Sequence, residues 1–421
     1  MPPLAGSGLA TPPRSLYVHV PFCISICPYC DFVVVAGARA RGPRNRIEAF
    51  VVALRREIEL RADALDARWG RPGGEPLPPS AARPSLETLY FGGGTPSLLP
   101  LPAIAGLIDL VRARFGLAEE AEVTLEANPG PDERGNAAGL RAAGVTRISF
   151  GAQALEDGAL RRLGRRHGTA DVASAVVEAR AAGIASLNLD LLYDVPGQSS
   201  RDFALTLEGA IALQPDHLSL YALALDDPDA EGLTDLGGDH LPVSAGARRW
   251  RANARPAQDE DRAAVMYEHA VRRLAAAGFD GYEISNWAQP GHESRHNRAY
   301  WERRPHEAVG PGAHAFDGGN RRWNAARLDR YLDALVPAEG GPGRLPPGGT
   351  ELVTPTVAAA EAAILGLRLQ EGLSAEAAAS PPLGKHLAWA RATGLVQVAA
   401  GRVSLTTRGR LLSNELFARL V

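Results

Sequence analysis

Short apolar, β-branched or aromatic runs alternate with longer stretches of helical period along the first half of the chain. The runs are Leu16–Pro21, Thr88–Phe91, Glu122–Glu126, Arg147–Phe150, Leu187–Leu192 and His217–Tyr221. Between them, residues such as Ile104, Leu107, Ile108, Val111 and Phe115 are spaced to form one apolar stripe on a helix. Strand–helix alternation repeated six times predicts an α/β architecture, a partial (β/α)6 barrel spanning residues 15–225. The strands read as nearly continuous apolar runs, as expected when both faces of a parallel strand are buried.

The pattern is interrupted in several places. Residues 1–14 are expected to be a flexible amino terminus, and Gly70–Pro84, rich in Gly and Pro, reads as a surface loop. Asp226–Asp259 is acidic and aperiodic, a long loop opening an extension that runs to residue 338. Glu339–Gly349 (EGGPGRLPPGG) reads as a linker to a last unit, residues 350–421. There, helices precede a hairpin of Leu395–Val398 and Val403–Thr406 and a helix from near Thr407, which predicts a small α+β winged-helix-like domain.

The bulk numbers exclude several classes. With 421 residues, 45% apolar and 22% charged, the chain has the composition of an ordinary globular protein. A net charge of −3 offers no basic excess for nucleic acid, and Arg391, Arg402, Arg408 and Arg410 are too few and interrupted to make the last unit a DNA reader. No apolar run is long enough to span a membrane and the start lacks leader character, so the expected location is the cytoplasm. All three cysteines fall within eight residues, an odd number too crowded for a disulfide framework, which reads as a ligand set in a reducing compartment.

Those cysteines form Cys23-Ile-Ser-Ile-Cys27-Pro-Tyr-Cys30 directly after the first strand. A [4Fe–4S] cube usually takes four thiolates, so three leave one iron open. S-adenosylmethionine can chelate that iron through its amino and carboxylate groups, and an electron from the cluster can then break the sulfonium C–S bond. The competing readings are a structural zinc site with His19 as fourth ligand, or three incidental thiols. Zinc sites commonly add a second, distant pair of ligands, and no second cysteine pair exists here.

Polar groups gather where the other strands end, the place where parallel barrels collect reactive side chains. The second strand ends in Gly92-Gly93-Gly94-Thr95-Pro96, where missing Cβ atoms let a ligand approach the backbone. The third ends in Glu126-Ala-Asn128-Pro129, whose carboxylate could grip a ribose diol. Ser149, Gly151 and Gln153 follow on the fourth, then Gly164-Arg165-Arg-His167; the fifth carries Asn188-Leu-Asp190 and Tyr193-Asp194-Val-Pro196-Gly197-Gln198. Each alone is as compatible with a plain turn or a salt bridge; their succession behind the cysteine motif carries the argument.

Together with GGGTPS, EANP, SFGAQ, LGRRH and DLLYDVPGQ, the run from Tyr17 to Cys30 resembles the radical S-adenosylmethionine proteins related to oxygen-independent coproporphyrinogen III oxidase. The likeness extends over about Leu16 to Leu420 and is greatest to the HemW-like haem chaperones. It implies cluster ligands Cys23, Cys27 and Cys30, and cofactor contacts at Tyr17, Gly93, Gly94 and Thr95. Glu126 would take the ribose, with Gln153, Arg165 and Asp190 completing the pocket. The oxidases place a fourth cysteine where Phe32 stands and begin with a longer amino-terminal extension, and both departures favour the chaperone branch. The segment Ser294-Arg-His296-Asn297-Arg-Ala-Tyr300-Trp301 is similar to the HNxxYW motif of that branch, which implies His296 as a haem contact, with His314 of Gly310-Pro-Gly312-Ala-His314 in reserve. One departure concerns Asp194, where the family usually has glycine.

The expectation is therefore a haem chaperone with no residue assigned to catalysis, carrying a [4Fe–4S] cluster, S-adenosylmethionine and haem. Its partners would be client haemoproteins and a reductant protein for the cluster, with transient association with a membrane or membrane protein allowed and the oligomeric state open. The alternative is the oxidative decarboxylase of coproporphyrinogen III.

Overall fold

The fold is known from a computed structural model, which describes residues 11–37, 46–72, 83–225, 229, 232–336, 341 and 343–421. Residues 1–10 of the expected flexible terminus and most of the Gly70–Pro84 loop lie outside the described residues.

Six parallel strands make the centre: β1 (Ser15–Val20), β2 (Leu86–Gly93), β3 (Leu117–Ala127), β4 (Arg147–Gln153), β5 (Ser186–Tyr193) and β6 (His217–Ala222). They pair side by side in chain order, each joined to the next by at least one helix. The stripe of Ile104, Leu107, Ile108, Val111 and Phe115 is buried on the helix Leu101–Phe115. Period-two alternation separates two buried faces. Leu16, Val18, Leu89, Phe91, Leu125, Ile148, Leu187, Leu189 and Leu218 enter the main apolar core. The opposite face carries Tyr17, His19, Thr88, Tyr90, Thr124, Glu126, Ser149, Asn188, Asp190 and Ser219. The barrel interior is thus polar, and the expected continuously apolar strands are apolar only on the face covered by helices.

Three short strands extend this sheet to nine. Glu307–Val309 runs parallel to β1 at one edge; Asn286–Ala288 runs antiparallel to β6 at the other and pairs in turn with Asp280–Gly281. The extension is tied back by Glu57 on the helix Arg46–Trp69, a fully buried carboxylate. It accepts from the Gly310 N–H, the Tyr331 hydroxyl and Asn324 Nδ2, each at 2.8 Å, and pairs with Arg61 at 3.2 Å. A buried charge with this many partners is satisfied rather than stranded.

Two expectations change. Within the aperiodic Asp226–Asp259, residues Ala245–Ala254 form a helix, capped by the Ser244 side chain. It has few apolar residues to mark a stripe, because its buried side includes Arg251. The end of the expected linker, Gly348 and Gly349, and the first residues of the expected last unit form one strand, Gly348–Leu352, paired with Asn320–Asn324. In the last unit the hairpin forms between Val396–Ala399 and Arg402–Leu405, with Leu373–Ser374 as a third strand, and helices around it bury a separate apolar cluster. Among the described residues no helix is long and apolar enough to cross a membrane.

Candidate functional site

The cysteine loop leaves the end of β1 and is held from three sides. On the first side, the N–H groups of Gly94 and Thr95 donate to the carbonyls of Val20 and Phe22 at 2.8 and 2.7 Å. A Cβ on Gly94 would lie 2.6 Å from the Phe22 carbonyl oxygen, and one on Gly93, whose φ is +110°, would enter the His19 ring. These glycines therefore let β2 close against the cysteine loop, and the donors expected to face a ligand are already engaged there. On the second side, a Cβ at Gly310 would sit 2.3 Å from the His19 carbonyl oxygen and one at Gly312 2.6 Å from Val33. The Gly310–His314 segment thus packs on β1 and the loop's far end.

The third side is the helix Ala245–Ala254. Arg251 donates from Nε to the Pro28 carbonyl at 3.1 Å and from Nη2 to the Cys30 carbonyl at 3.0 Å. Trp250 lies against Tyr29 with 6.4 Å between ring centroids and donates to the Arg162 carbonyl at 3.1 Å. Sequence reasoning missed both residues. The only signal was an Arg–Trp–Arg run inside a segment without period.

Polar side chains reach the sulfurs themselves. The Thr95 hydroxyl donates to Cys23 Sγ at 3.5 Å, and Arg165 Nη1 donates to Cys27 Sγ at 3.4 Å. Asn128 joins them, donating to Thr95 Oγ1 at 3.1 Å and accepting from Arg165 Nη2. Arg165 also donates to the Gly151 carbonyl at 2.9 Å, while its buried Nε has no hydrogen-bond partner among the described residues. Burial pushes the Cys23 thiol up to about 11, against the Thr95 bond, and raises the Cys30 thiol further, with Cys27 adding to the rise of each. Three neighbouring half-buried thiols next to a guanidinium suit a thiolate-bound cationic cluster, which would supply the compensating charge. The zinc alternative loses its fourth ligand, because His19 has both ring nitrogens engaged. Nε2 pairs with the Val33 carbonyl at 2.8 Å and Nδ1 with the Tyr17 hydroxyl at 3.1 Å, and burial lowers its pKa to about 4.

Inside the barrel the next groups converge. Glu126 accepts from the Tyr90 hydroxyl at 2.7 Å and the Gly93 N–H at 3.0 Å. Burial pushes its carboxyl up to about 7 despite those bonds, with Asp190 adding to the rise. Asp190 accepts from Asn188 Nδ2 at 2.8 Å and Ser149 Oγ at 3.0 Å, and burial raises it too. Tyr17 stacks on Tyr90 at 6.0 Å. Gln153 stands at an irregularity where β4 leaves β5 and has φ +66°, a backbone state that non-glycine residues adopt sparingly. The structure thus brings Tyr17, Gly93, Thr95, Glu126, Arg165 and Asp190 into adjoining networks beneath the cysteine loop.

His296 lies lower. On the inner face of β2, Tyr90 meets Glu126, while Thr88, two residues earlier, meets His296 Nδ1 at 2.7 Å. Its Nε2 pairs with the Tyr300 hydroxyl at 2.9 Å. Glu122 accepts from the backbone N–H groups of Arg295 and His296 at 3.0 and 3.1 Å, anchoring the helix Arg295–Trp301 at the middle of β3. The imidazole is buried and its pKa falls to about 3, chiefly through burial. It plugs the barrel from below, and to meet a haem iron it would have to leave Thr88 or Tyr300.

The departure at Asp194 is accommodated. Its φ is +56°, and its carboxylate accepts from Arg262 Nε at 2.9 Å and from the Asp259 N–H at 3.1 Å, where the helix Glu260–Ala276 begins.

Comparison with known proteins agrees with this geometry. Residues 80–209 match the radical SAM superfamily and residues 353–412 the HemN C-terminal domain. The chain is 37% identical to the heme chaperone HemW of Mycobacterium tuberculosis over 416 residues, covering 97% of this chain and 95% of that one. It is 32% identical to the heme chaperone HemW of Bacillus subtilis, covering 96% and 98%. Among solved structures, the radical SAM enzyme coproporphyrinogen III oxidase (HemN) of Escherichia coli superposes with a TM-score of 0.75 at 23% identity, over 97% of this chain and 90% of that one, a likeness of fold.

Proposed function

Because the chain belongs to the HemW heme chaperone family within the radical SAM superfamily, we propose that it binds haem and passes it to client haemoproteins. In this proposal Cys23, Cys27 and Cys30 hold a [4Fe–4S] cluster whose open iron takes S-adenosylmethionine. The observation that carries it is the set of three half-buried thiols on one loop, with Thr95 at Cys23 and Arg165 at Cys27. With both groups bound, the cluster supplies the electron that cleaves the sulfonium bond.

The chain's own residues do the holding. Arg165 balances thiolate charge, and Arg251 pins the loop carbonyls between the cysteines. Glu126 is placed to exchange its Tyr90 and Gly93 partners for a ribose diol, and its raised pKa keeps it a hydrogen-bonding group of either protonation state near neutrality. Gly93, Gly94, Tyr17, Gln153 and Asp190 shape the space around it. Haem, a reductant protein and a client that could be membrane-bound are the partners this function requires, in the cytoplasm.

Anaerobic purification with iron and sulfide analysis tests the cluster. About four irons and four sulfides per chain are expected, Cys27→Ser should lose them, and zinc without sulfide would refute the assignment. Turnover with reductant, S-adenosylmethionine and coproporphyrinogen III then separates the two functions: no decarboxylation is expected, and protoporphyrinogen formed over many turnovers would make this chain an oxidase.

A further inference from the structure

The run Glu126-Ala-Asn128-Pro129 closes β3, and the function proposed above assigns a role there to Glu126 alone. Asn128 is half-buried between two side chains that touch cysteine sulfurs, and it bonds to both. Its Nδ2 donates to Thr95 Oγ1 and to Glu133 Oε1, each at 3.1 Å, and its Oδ1 accepts from Arg165 Nη2. The surroundings fix which end of the amide is which. A guanidinium can only donate, so the carbonyl oxygen faces Arg165 and the NH2 group falls between Glu133 and Thr95. Glu133 is buried and itself held: its carbonyl accepts from the Ser97 hydroxyl, and its N–H donates to the Gly130 carbonyl at 3.0 Å.

This orientation decides where other protons point. A hydroxyl has one proton and two lone pairs. Asn128 fills a lone pair of Thr95 Oγ1, which leaves the single Thr95 proton for Cys23 Sγ at 3.5 Å. With the amide reversed, that proton would be drawn to the carbonyl oxygen instead. On the other side, Arg165 Nη2 is engaged by Asn128 and by the Gly151 carbonyl at 2.9 Å. A planar guanidinium fixed in this way sends Nη1 to Cys27 Sγ at 3.4 Å. The Tyr29 hydroxyl is a further partner of Cys27, but it is carried by the cysteine loop itself.

One amide therefore aims two donors at two of the three cysteines. Hydrogen bonds to the sulfurs of a cluster favour its more negative, reduced state and are among the groups that set its reduction potential. We propose that Asn128 is a positioning residue that raises the reduction potential of the cluster, acting through Thr95 and Arg165. The proposal rests on the cluster reading given above and adds to it the group that adjusts how readily the cluster takes an electron.

The test is redox titration of the reconstituted full chain without S-adenosylmethionine. Iron and sulfide are assayed in each sample first, and the reduced cluster is counted by electron paramagnetic resonance. Asn128→Ala should keep a full cluster and lower its reduced-to-oxidised ratio at a given potential about tenfold, a shift of about 59 mV for one electron. Thr95→Val should shift the potential the same way but by less, and Thr95→Ser, which keeps the hydroxyl, should recover the wild-type value. In the Thr95→Val background Asn128→Ala should shift it by less than it does alone, because part of the effect runs through that hydroxyl. Asn128→Asp keeps the acceptor for Arg165 but draws the Thr95 proton to itself, and should also lower the potential. Full clusters at the wild-type potential in Asn128→Ala and Asn128→Asp would overturn the proposal and leave the cluster reading standing. Loss of the cluster from both variants would make Asn128 a structural support only, and would overturn the proposal as well. Zinc without sulfide in the wild-type chain would overturn the cluster reading itself.

Discussion

Asp194 offers a sharp test of how the end of β5 is built. The residue combines φ +56° with a buried carboxylate, and the two properties can be removed separately. Asp194→Gly keeps the backbone at ease and deletes the carboxylate; Asp194→Asn keeps tolerance of positive φ and one acceptor but loses the charge; Asp194→Ala loses both. The carboxylate accepts from Arg262 and from the Asp259 N–H, with 6% of the side chain exposed against 24% for Arg262. Removing one partner of a fully buried pair costs about 3–5 kcal/mol. Arg262 keeps the Ala257 carbonyl at 2.6 Å and reaches solvent, so the figure here falls to about 1.5–3 kcal/mol, the range for hydrogen bonds to charged groups.

Forcing alanine into the left-handed region adds about 1–2 kcal/mol. Glycine's larger unfolded-state entropy returns about 0.4–1 kcal/mol of that difference. The expected order of stability is wild type, then Asp194→Asn, then Asp194→Gly, then Asp194→Ala, with the last two separated by about 0.5–1 kcal/mol. Urea unfolding followed by tryptophan fluorescence measures it. With a slope of about 3 kcal/mol/M, a loss of 3 kcal/mol moves the midpoint by about 1 M. Alanine as stable as asparagine would refute the backbone argument, and all three variants at the wild-type midpoint would refute the ion-pair argument. In an Arg262→Ala background the asparagine effect should shrink, because the charge would then have lost its main partner.

Two further outcomes follow from the same geometry. Arg251→Ala removes the donors to the Pro28 and Cys30 carbonyls. It should lower the unfolding stability by about 1.5–3 kcal/mol and lower the iron retained after brief air exposure by about tenfold, the scale of supporting-residue effects at metal sites; unchanged iron would show that the helix Ala245–Ala254 does not hold the loop. Acid should also weaken the fold. His19, His167, His296 and His306 have pKa values lowered to between about 3 and 4, and His217 lies well below its ordinary value, burial being the first cause for each. The folded state therefore binds fewer protons than the unfolded one as pH falls from about 6.5 towards 4, and stability drops by up to about 1.4 kcal/mol per pH unit for each group. Glu126 and Asp190, both raised by burial, act in the opposite direction but are fewer. A urea midpoint that stays level or rises between pH 6.5 and 5 would refute this.

What the sequence shows and what it hides divide along one physical line. The six strands, the helix stripe of Ile104 to Phe115 and the hairpin near residue 400 are legible because each is specified by its own periodicity and turn residues. The three cysteines and GGGTP are legible because their chemistry is concentrated in a few consecutive positions. Glu307–Val309 and Asn286–Ala288 are too short to show any period, and become strands only because β1 and β6 present open edges. The helix Ala245–Ala254 is hidden for a related reason: its buried anchor is Arg251, a residue that composition assigns to the surface.

The glycines show how a correct position can carry an incomplete cause. Gly93 and Gly94 invite a ligand-cradle reading, and Gly310 and Gly312 a flat-ligand one. In the folded chain their missing Cβ atoms are used by His19, Phe22 and Val33. Both glycine segments close on the two ends of the cysteine loop, and Arg251 closes on its middle. The loop is therefore fixed by backbone contacts at both ends and at its middle. That is the condition under which three ligands can hold a cluster firmly while leaving a fourth iron position open.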